Sequence, residues 1–229
     1  MSETIAKTLR VLQRAASEHA SVCVAYSDGK DSRVVMDLCL RSFKRVTAFY
    51  MYFIPGLACV DAALAAAEEK FSRVKSFEGP IRQYPHWVLR KALTTGAYCR
   101  ALSDDGLPPW KLHDVYAVAA KDSESTLIAT GAKATDSTWR RRMMGTWGKN
   151  CLYPIGDWNK FQVLGYLRTR GIPLPPSSGK SATGIDLSVP SLLWLHDTYP
   201  EDFERLCGVF PFARAVVKRR EFFGDEQAA

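Results

Sequence analysis

The stretch Ser21-Val22-Cys23-Val24-Ala25-Tyr26-Ser27-Asp28-Gly29-Lys30-Asp31-Ser32 decides how the rest of the chain is read. Its first half is short and mostly apolar, as expected of a strand buried on both faces in a parallel sheet. Its second half is polar and contains glycine. After Ser32 the chain keeps an apolar face through Val35, Leu38, Cys39 and Leu40, so a helix follows. A strand-to-helix turn gathers backbone N–H groups that helix formation leaves without partners, and a phosphate needs such converging donors. Gly29 lets the backbone come close, Ser27 and Ser32 add hydroxyls, and Lys30 adds a mobile positive charge. Asp31 is expected either to cap the helix starting around Ser32 or to help hold a magnesium ion carried by a nucleotide. Asp28 is the awkward member, because an anion beside phosphates is repelled unless it points away or faces a cation. An ordinary polar turn with an aspartate cap uses the same residue types. The dense S-x-G-K-D-S order between an apolar strand and an amphipathic helix favours the phosphate reading. A Walker A loop is excluded, since GxxxxGK followed by Ser or Thr is absent.

Outward from this turn, strand and helix alternate. Residues 3–18 repeat Ile5, Leu9, Leu12 and Ala16 at helical spacing. Val46–Phe53 reads as a strand, Leu57–Phe71 as a helix and Val74–Phe77 as a short third strand. Residues 80–110, punctuated by Pro80, Pro85, Gly106, Pro108 and Pro109, read as a surface excursion with one helix near His86–Thr94. Regular structure resumes with a helix at Lys111–Lys121, strand Thr126–Thr130, helix Asp136–Met144, strand Cys151–Ile155 and helix Lys160–Arg170, N-capped by Asn159. After a Pro/Gly/Ser-rich connector, Pro190–Asp197, Pro200–Cys207 and Phe212–Phe223 read as helices. The alternation predicts a doubly wound α/β fold with five mostly parallel strands in the order 3-2-1-4-5. A ligand then belongs at the carboxyl ends of the strands, where the order reverses. Residues 1–175 are expected to form the nucleotide-binding domain and 176–229 a helical extension, completing an acceptor site or forming a homodimer contact.

With 229 residues, 47% of them apolar, the chain can bury one sizeable core and an appendage. Its 31 basic residues outnumber 24 acidic ones, which favours anionic partners, whether nucleotides, sulfate esters or nucleic acid. The opening MSETIAKTLR resembles neither a secretion signal nor a membrane span, so a cytoplasmic protein without a membrane partner is expected. Six scattered cysteines without a CxxC pair read as buried free thiols. His86, His113 and His196 stand alone, so no metal site is expected. The tryptophans read as packing anchors, although Trp139 and Trp147 flank a basic run where a planar ligand can rest.

Val22–Leu40 resembles the PP-loop of the superfamily that contains the ATP sulfurylase small subunit, phosphoadenosine-phosphosulfate (PAPS) reductases and tRNA-thiolation enzymes. Its wording is most similar to the sulfurylase subunit and to PAPS-reductase-like proteins of bacteria and their phages. Two later stretches extend the likeness. Gly131-Ala132-Lys133-Ala134-Thr135-Asp136-Ser137, followed by Arg140-Arg141-Arg142, resembles the family's glycine-plus-basic segment after the fourth strand. Tyr153-Pro154-Ile155-Gly156-Asp157-Trp158, with Gly171-Ile172-Pro173 beyond it, resembles its P-[IL]-x-x-W passage. Together these span about residues 20–175. The resemblance implies an ATP site that cleaves between the α- and β-phosphates, adenylates an anionic acceptor and releases pyrophosphate, with Mg2+ carried by the nucleotide. It implies that Ser27, Asp28, Gly29, Lys30, Asp31 and Ser32 form the phosphate loop, with Gly131, Lys133, Asp136 and Ser137 facing it. Lys30, Asp31, Arg140 and Arg141 are the implied catalytic groups. The Arg140–Arg142 run reads equally as a solvated helix face.

The likeness breaks in two places. Reductases of the family carry their nucleophile in a Glu-Cys-Gly-x-His setting, whereas this chain has Leu206-Cys207-Gly208-Val209-Phe210. Cys207 therefore reads as a packing residue. The segment Tyr50–Gly56 lacks the acidic and threonine residues of the sulfurylase loop, and its aromatics suit an adenine ring or the core equally. Two rival expectations follow: a thiol-dependent PAPS reductase using Cys207, and a non-enzymatic nucleic-acid or partner-binding module.

Overall fold

The computed structural model describes residues 3–86, 111–146, 150–174 and 187–224. The chain forms two compact units. The first comprises Met1–Tyr50, Ala66–Gln83 and Tyr116–Pro175; the second comprises Met51–Ala65 with the described parts of Tyr84–Val115 and Pro176–Ala229.

The sheet is built around β1 (Ser21–Ala25), which is buried almost throughout. β1 pairs in parallel with β2 (Arg45–Tyr52) on one side, Val22 opposite Val46, and with β4 (Ile128–Ala129) on the other, Cys23 opposite Ile128. β5 (Cys151–Leu152) continues in parallel beyond β4, and β3 (Arg82–Pro85) lies beyond β2. The resulting order, β3-β2-β1-β4-β5, is the one expected of the doubly wound fold. The helices are α1 (Glu3–Glu18), α2 (Lys30–Leu40), α3 (Ala58–Ser72), α4 (Leu112–Asp122), α5 (Thr138–Thr146) and α6 (Lys160–Thr169). Asn159 caps α6 in a full capping box with Gln162, as its position predicts.

The third strand is not where periodicity puts it. Val74–Phe77 contributes a single parallel bridge, Phe77 to Val46, closed by Val46 N to Ser76 O (2.7 Å) and Glu78 N to Val46 O (2.9 Å). Phe77 is there to pack: its ring meets Phe71 edge-on, and Phe71 in turn meets Tyr26. The true third strand begins after Ile81, whose N–H donates to the Glu68 carboxylate. β4 and β5 are also shorter than Thr126–Thr130 and Cys151–Ile155, because the chain leaves the ladder at once to form the loops described below. The expected helix near His86–Thr94 lies outside the described residues beyond His86.

In the second unit, α7 (Val189–Thr198), α8 (Pro200–Val209) and α9 (Ala213–Phe223) enclose a core of Leu192, Leu195, Phe203, Leu206, Phe210 and Val217 with Ile54 and Leu57. α7 and α8 each begin with proline in the first turn, where a missing N–H costs nothing. Asp202 of α8 is 4% exposed, yet both of its oxygens are used: they accept from Ala58 N and Cys59 N, each at 2.9 Å, and so cap α3. Burial alone would raise the pKa of this carboxyl; the amide hydrogen bonds and the charge of Arg205 outweigh that and hold it below the usual range. Asp202→Asn keeps one acceptor but turns an NH2 toward an N–H. It is expected to lower the unfolding free energy by about 1–2 kcal/mol in urea titrations.

His86 stacks on Phe53 at 4.4 Å, and burial pushes its pKa down to about 4 from an ordinary 6.5. Above pH 6.5 both folded and unfolded states are neutral at this ring. Between 6.5 and about 4 only the unfolded chain takes up the proton, so stability falls as the pH falls through that window. The wild type should lose about 2–3 kcal/mol more than His86→Gln between pH 7 and pH 4, by urea unfolding at fixed salt. Among the described residues, no helix is long and apolar enough to cross a membrane.

Candidate functional site

α2 starts earlier than expected. Gly29 is its N-cap residue and Arg33 N to Gly29 O (3.0 Å) its first intrahelical bond, so the amides of Lys30, Asp31 and Ser32 precede any intrahelical acceptor. The loop is tied by serines: Ser32 Oγ donates to Gly29 O (2.9 Å) and accepts from Ser27 N (3.2 Å), with Ser27 Oγ at 3.3 Å. An added Cβ on Gly29 would meet Ser27 Oγ at 3.3 Å, so close packing explains this glycine; its φ of −73° suits any residue. Asp31 does not cap the helix. It stands in the first turn as an ion-pair partner, Lys30 Nζ lying 3.0 Å from Oδ2.

Asp28 solves its electrostatic problem by facing a cation. Arg33 Nε and NH2 reach its Oδ1 and Oδ2 at 3.0 and 2.9 Å, and the Tyr26 hydroxyl donates to Oδ1 at 2.7 Å. Its backbone sits in the left-handed region, φ 57°, which aspartate tolerates better than most side chains.

The loop after β4 meets α2 at its N-terminus. Gly131 presses so closely that a Cβ there would lie 3.1 Å from Asp31 Cβ and 3.2 Å from both Asp31 C and Ser32 N. Lys133, only 3% exposed, sends its ammonium between two carboxylates, 2.9 Å from Asp31 Oδ1 and 3.1 Å from Asp136 Oδ1. The Asp31 contact is one of charge: Oδ1 is buried and accepts no aligned hydrogen bond. Arg140 NH1 pairs with Asp136 Oδ2 at 2.7 Å. Burial would raise the Asp136 pKa, but the hydrogen bond and charge of Lys133, with Arg140 behind, lower it. The charges thus alternate Lys30, Asp31, Lys133, Asp136, Arg140, leaving one net positive charge at the helix N-terminus.

A second turn holds this loop in place. Ala134 N donates to Gly156 O (2.8 Å) and Thr135 Oγ1 to Trp158 O (3.1 Å). That turn is fixed to α1: Thr8 Oγ1 donates to Pro154 O (3.1 Å) and accepts from the Trp158 indole (2.9 Å), and Lys7 pairs with Asp157.

Among the residues singled out from sequence, Ser27, Gly29, Lys30, Asp31, Ser32, Gly131, Lys133 and Asp136 gather around this helix start. The Ser137 hydroxyl is engaged otherwise, accepting from Arg140 N at the start of α5 (3.1 Å). Arg141 and Arg142 are exposed. The Trp139 side chain and Trp147 lie outside the described residues. Tyr52 and Phe53 pack against the core of the second unit. Cys207 is 3% exposed in that core, and burial raises its thiol pKa, which disfavours a nucleophilic thiolate. The five described cysteines are all free. Sequence reading passed over Arg33 and Tyr26. The signal was an acidic residue at a turn position that needs a left-handed backbone, five residues before an arginine on the emerging helix.

These features define a doubly wound parallel α/β protein with loops from adjacent strands β1 and β4 meeting where the strand order reverses. No family model matches the chain, and no curated protein matches it. Among solved structures it is similar to the U34-tRNA thiolase NcsA from Methanococcus maripaludis with its [4Fe-4S] cluster, at 15% identity and TM-score 0.48, over 99% of this chain and 85% of that one. It is also similar to the NH3-dependent NAD synthetase from Campylobacter jejuni subsp. jejuni NCTC 11168 in complex with the nitrate ion, at 15% identity and TM-score 0.47, over 100% and 97% of the two chains. Neither likeness assigns an activity to this chain.

Proposed function

We propose that this chain binds ATP with its phosphates at the start of α2 and transfers the adenylyl group to an anionic acceptor, releasing pyrophosphate, as a PAPS-reductase-like PP-loop protein. One observation carries the reading: a buried lysine, Lys133, and a side-chain-less residue, Gly131, are both brought to the N-terminus of an 11-residue helix. A helix N-terminus favours negative charge. Lys30, Lys133 and Arg140 are held by Asp31 and Asp136 until a polyphosphate competes for them. In the transfer, an acceptor oxygen forms a bond to the α-phosphorus while the bridging bond to the β-phosphate breaks, its electron pair leaving with pyrophosphate. The amides of Lys30 to Ser32 and the three cations stabilise the charge that builds on the α-phosphate and leaving group. Asp31, in the first turn of α2, is the carboxylate that would help hold the magnesium carried by the nucleotide.

The test is incubation of the full chain with α-labelled ATP, magnesium and a panel of sulfate, phosphate and carboxylate acceptors. Adenylate, AMP or pyrophosphate formation that disappears in Lys30→Ala supports the reading. Their absence with every acceptor overturns it. Turnover of an adenylated sulfate ester instead, abolished in Cys207→Ser, would favour the reductase.

A further inference from the structure

Arg33 lies at the phosphate loop, yet its donors go to groups of the protein itself, the Asp28 carboxylate among them. Its Nε bonds Asp28 O (3.1 Å) and Oδ1, its NH2 bonds the same carboxylate, and its NH1 donates to Pro173 O at 2.7 Å. The guanidinium is 16% exposed at the side chain and spends its donors within the protein. We propose that Arg33, with Tyr26, is a positioning residue of the phosphate loop: it cancels the Asp28 charge and holds residue 28 in the left-handed conformation that presents the amides of Gly29 to Ser32 to an anion. The proposal rests on the ATP reading above for its ligand, and on geometry alone for its effect on the loop.

Three observations support it. Residue 28 has φ 57°, a conformation that costs free energy for any residue with a Cβ, so something must hold it. The carboxylate oxygens receive a fork from Arg33 and a phenol from Tyr26, the arrangement that fixes a side chain most firmly. Burial and the neighbouring Asp28 charge push the Tyr26 phenol well above its ordinary range, so it remains a donor. Without Arg33, an unneutralised carboxylate remains beside the incoming phosphates.

The experiment compares wild type, Arg33→Ala and the double variant Asp28→Asn/Arg33→Ala, titrated with MgATP by calorimetry. Amide hydrogen exchange of residues 27–32 is followed in the free protein. Asparagine tolerates the left-handed backbone and carries no charge. Arg33→Ala should weaken MgATP binding about tenfold, the scale of one uncompensated charge near an anion, and the double variant should recover most of that loss. Exchange of the loop amides should speed up in Arg33→Ala and slow again in the double variant. A purely structural role would not be rescued by removing a second charged group. Wild-type affinity in Arg33→Ala, or a loss that the double variant fails to recover, overturns the proposal. Should wild type bind no MgATP, the nucleotide reading fails, and the exchange rates alone decide: unchanged rates in Arg33→Ala overturn the positioning role, and faster rates rescued in the double variant sustain it. If Arg33→Ala does not fold, Arg33→Lys, which keeps the charge but loses the fork, is expected to fall between wild type and the tenfold loss; equality with wild type in both readouts overturns the proposal.

Discussion

Lys133→Ala is expected to lower the unfolding free energy by about 3 kcal/mol and to abolish MgATP binding. The ammonium is almost fully buried between Asp31 and Asp136, so truncation removes the cation between two carboxylates that face one another. Lys30 and Arg140 still touch them from their outer sides, which keeps the loss below that of a wholly isolated pair. The pH dependence separates this cause from simple loss of packing. In the wild type the Asp136 pKa is depressed below 3.8, so its stabilisation is present above that value and fades as the pH falls through the lowered one. In Lys133→Ala the hydrogen bond and charge that hold the Asp136 pKa down are gone, so acid relieves the variant. The gap between the two proteins should be widest near neutrality and narrow toward pH 4. Urea is the right denaturant, since guanidinium salt screens the charges being measured. A gap that stays constant with pH would mean that only packing was lost.

Gly131→Ala should cost about 1–3 kcal/mol and weaken MgATP binding at least tenfold. The new methyl group would press on the Asp31 Cβ and on the backbone of Asp31 and Ser32. Helix backbone cannot rotate aside, so the loop after β4 must retreat by a few tenths of an ångström. The shift is small, but it is passed to Lys133 two residues on and to the amides that would hold a phosphate. Thermal unfolding and calorimetric titration read the two effects separately. An alanine variant with unaltered affinity would show that the two loops need not touch to bind the nucleotide.

Much of the fold was readable because its signals are local. The apolar β1 followed by a polar glycine turn, the helical spacing in α1 and α2, and the prolines opening α7 and α8 each express backbone chemistry within a few residues. The third strand was misplaced because Val74 to Phe77 alternates like a strand while Phe77 is used for aromatic packing. The real β3, Arg-Gln-Tyr-Pro, is short, polar and ends in proline, so it carries little apolar signal. At the site, the loop members could be named from their types, but their electrostatics could not. Nothing in the run Gly131–Ser137 says that Lys133 is buried while Ser137 starts a helix. Asp202 bonds the start of α3 across 144 positions, and Arg33 reaches Pro173 across 140. Contacts of that separation arise only once the chain has closed, which is why they leave no mark on periodicity.

The hydroxyl of Thr8 gives the amino terminus a reach that its place in the chain does not suggest. Through Trp158 and Thr135 it belongs to the same rigid scaffolding as Lys133, so shortening the first helix would slacken the clamp from behind. Thr8→Val is then expected to weaken MgATP binding while leaving every residue around Lys133 intact.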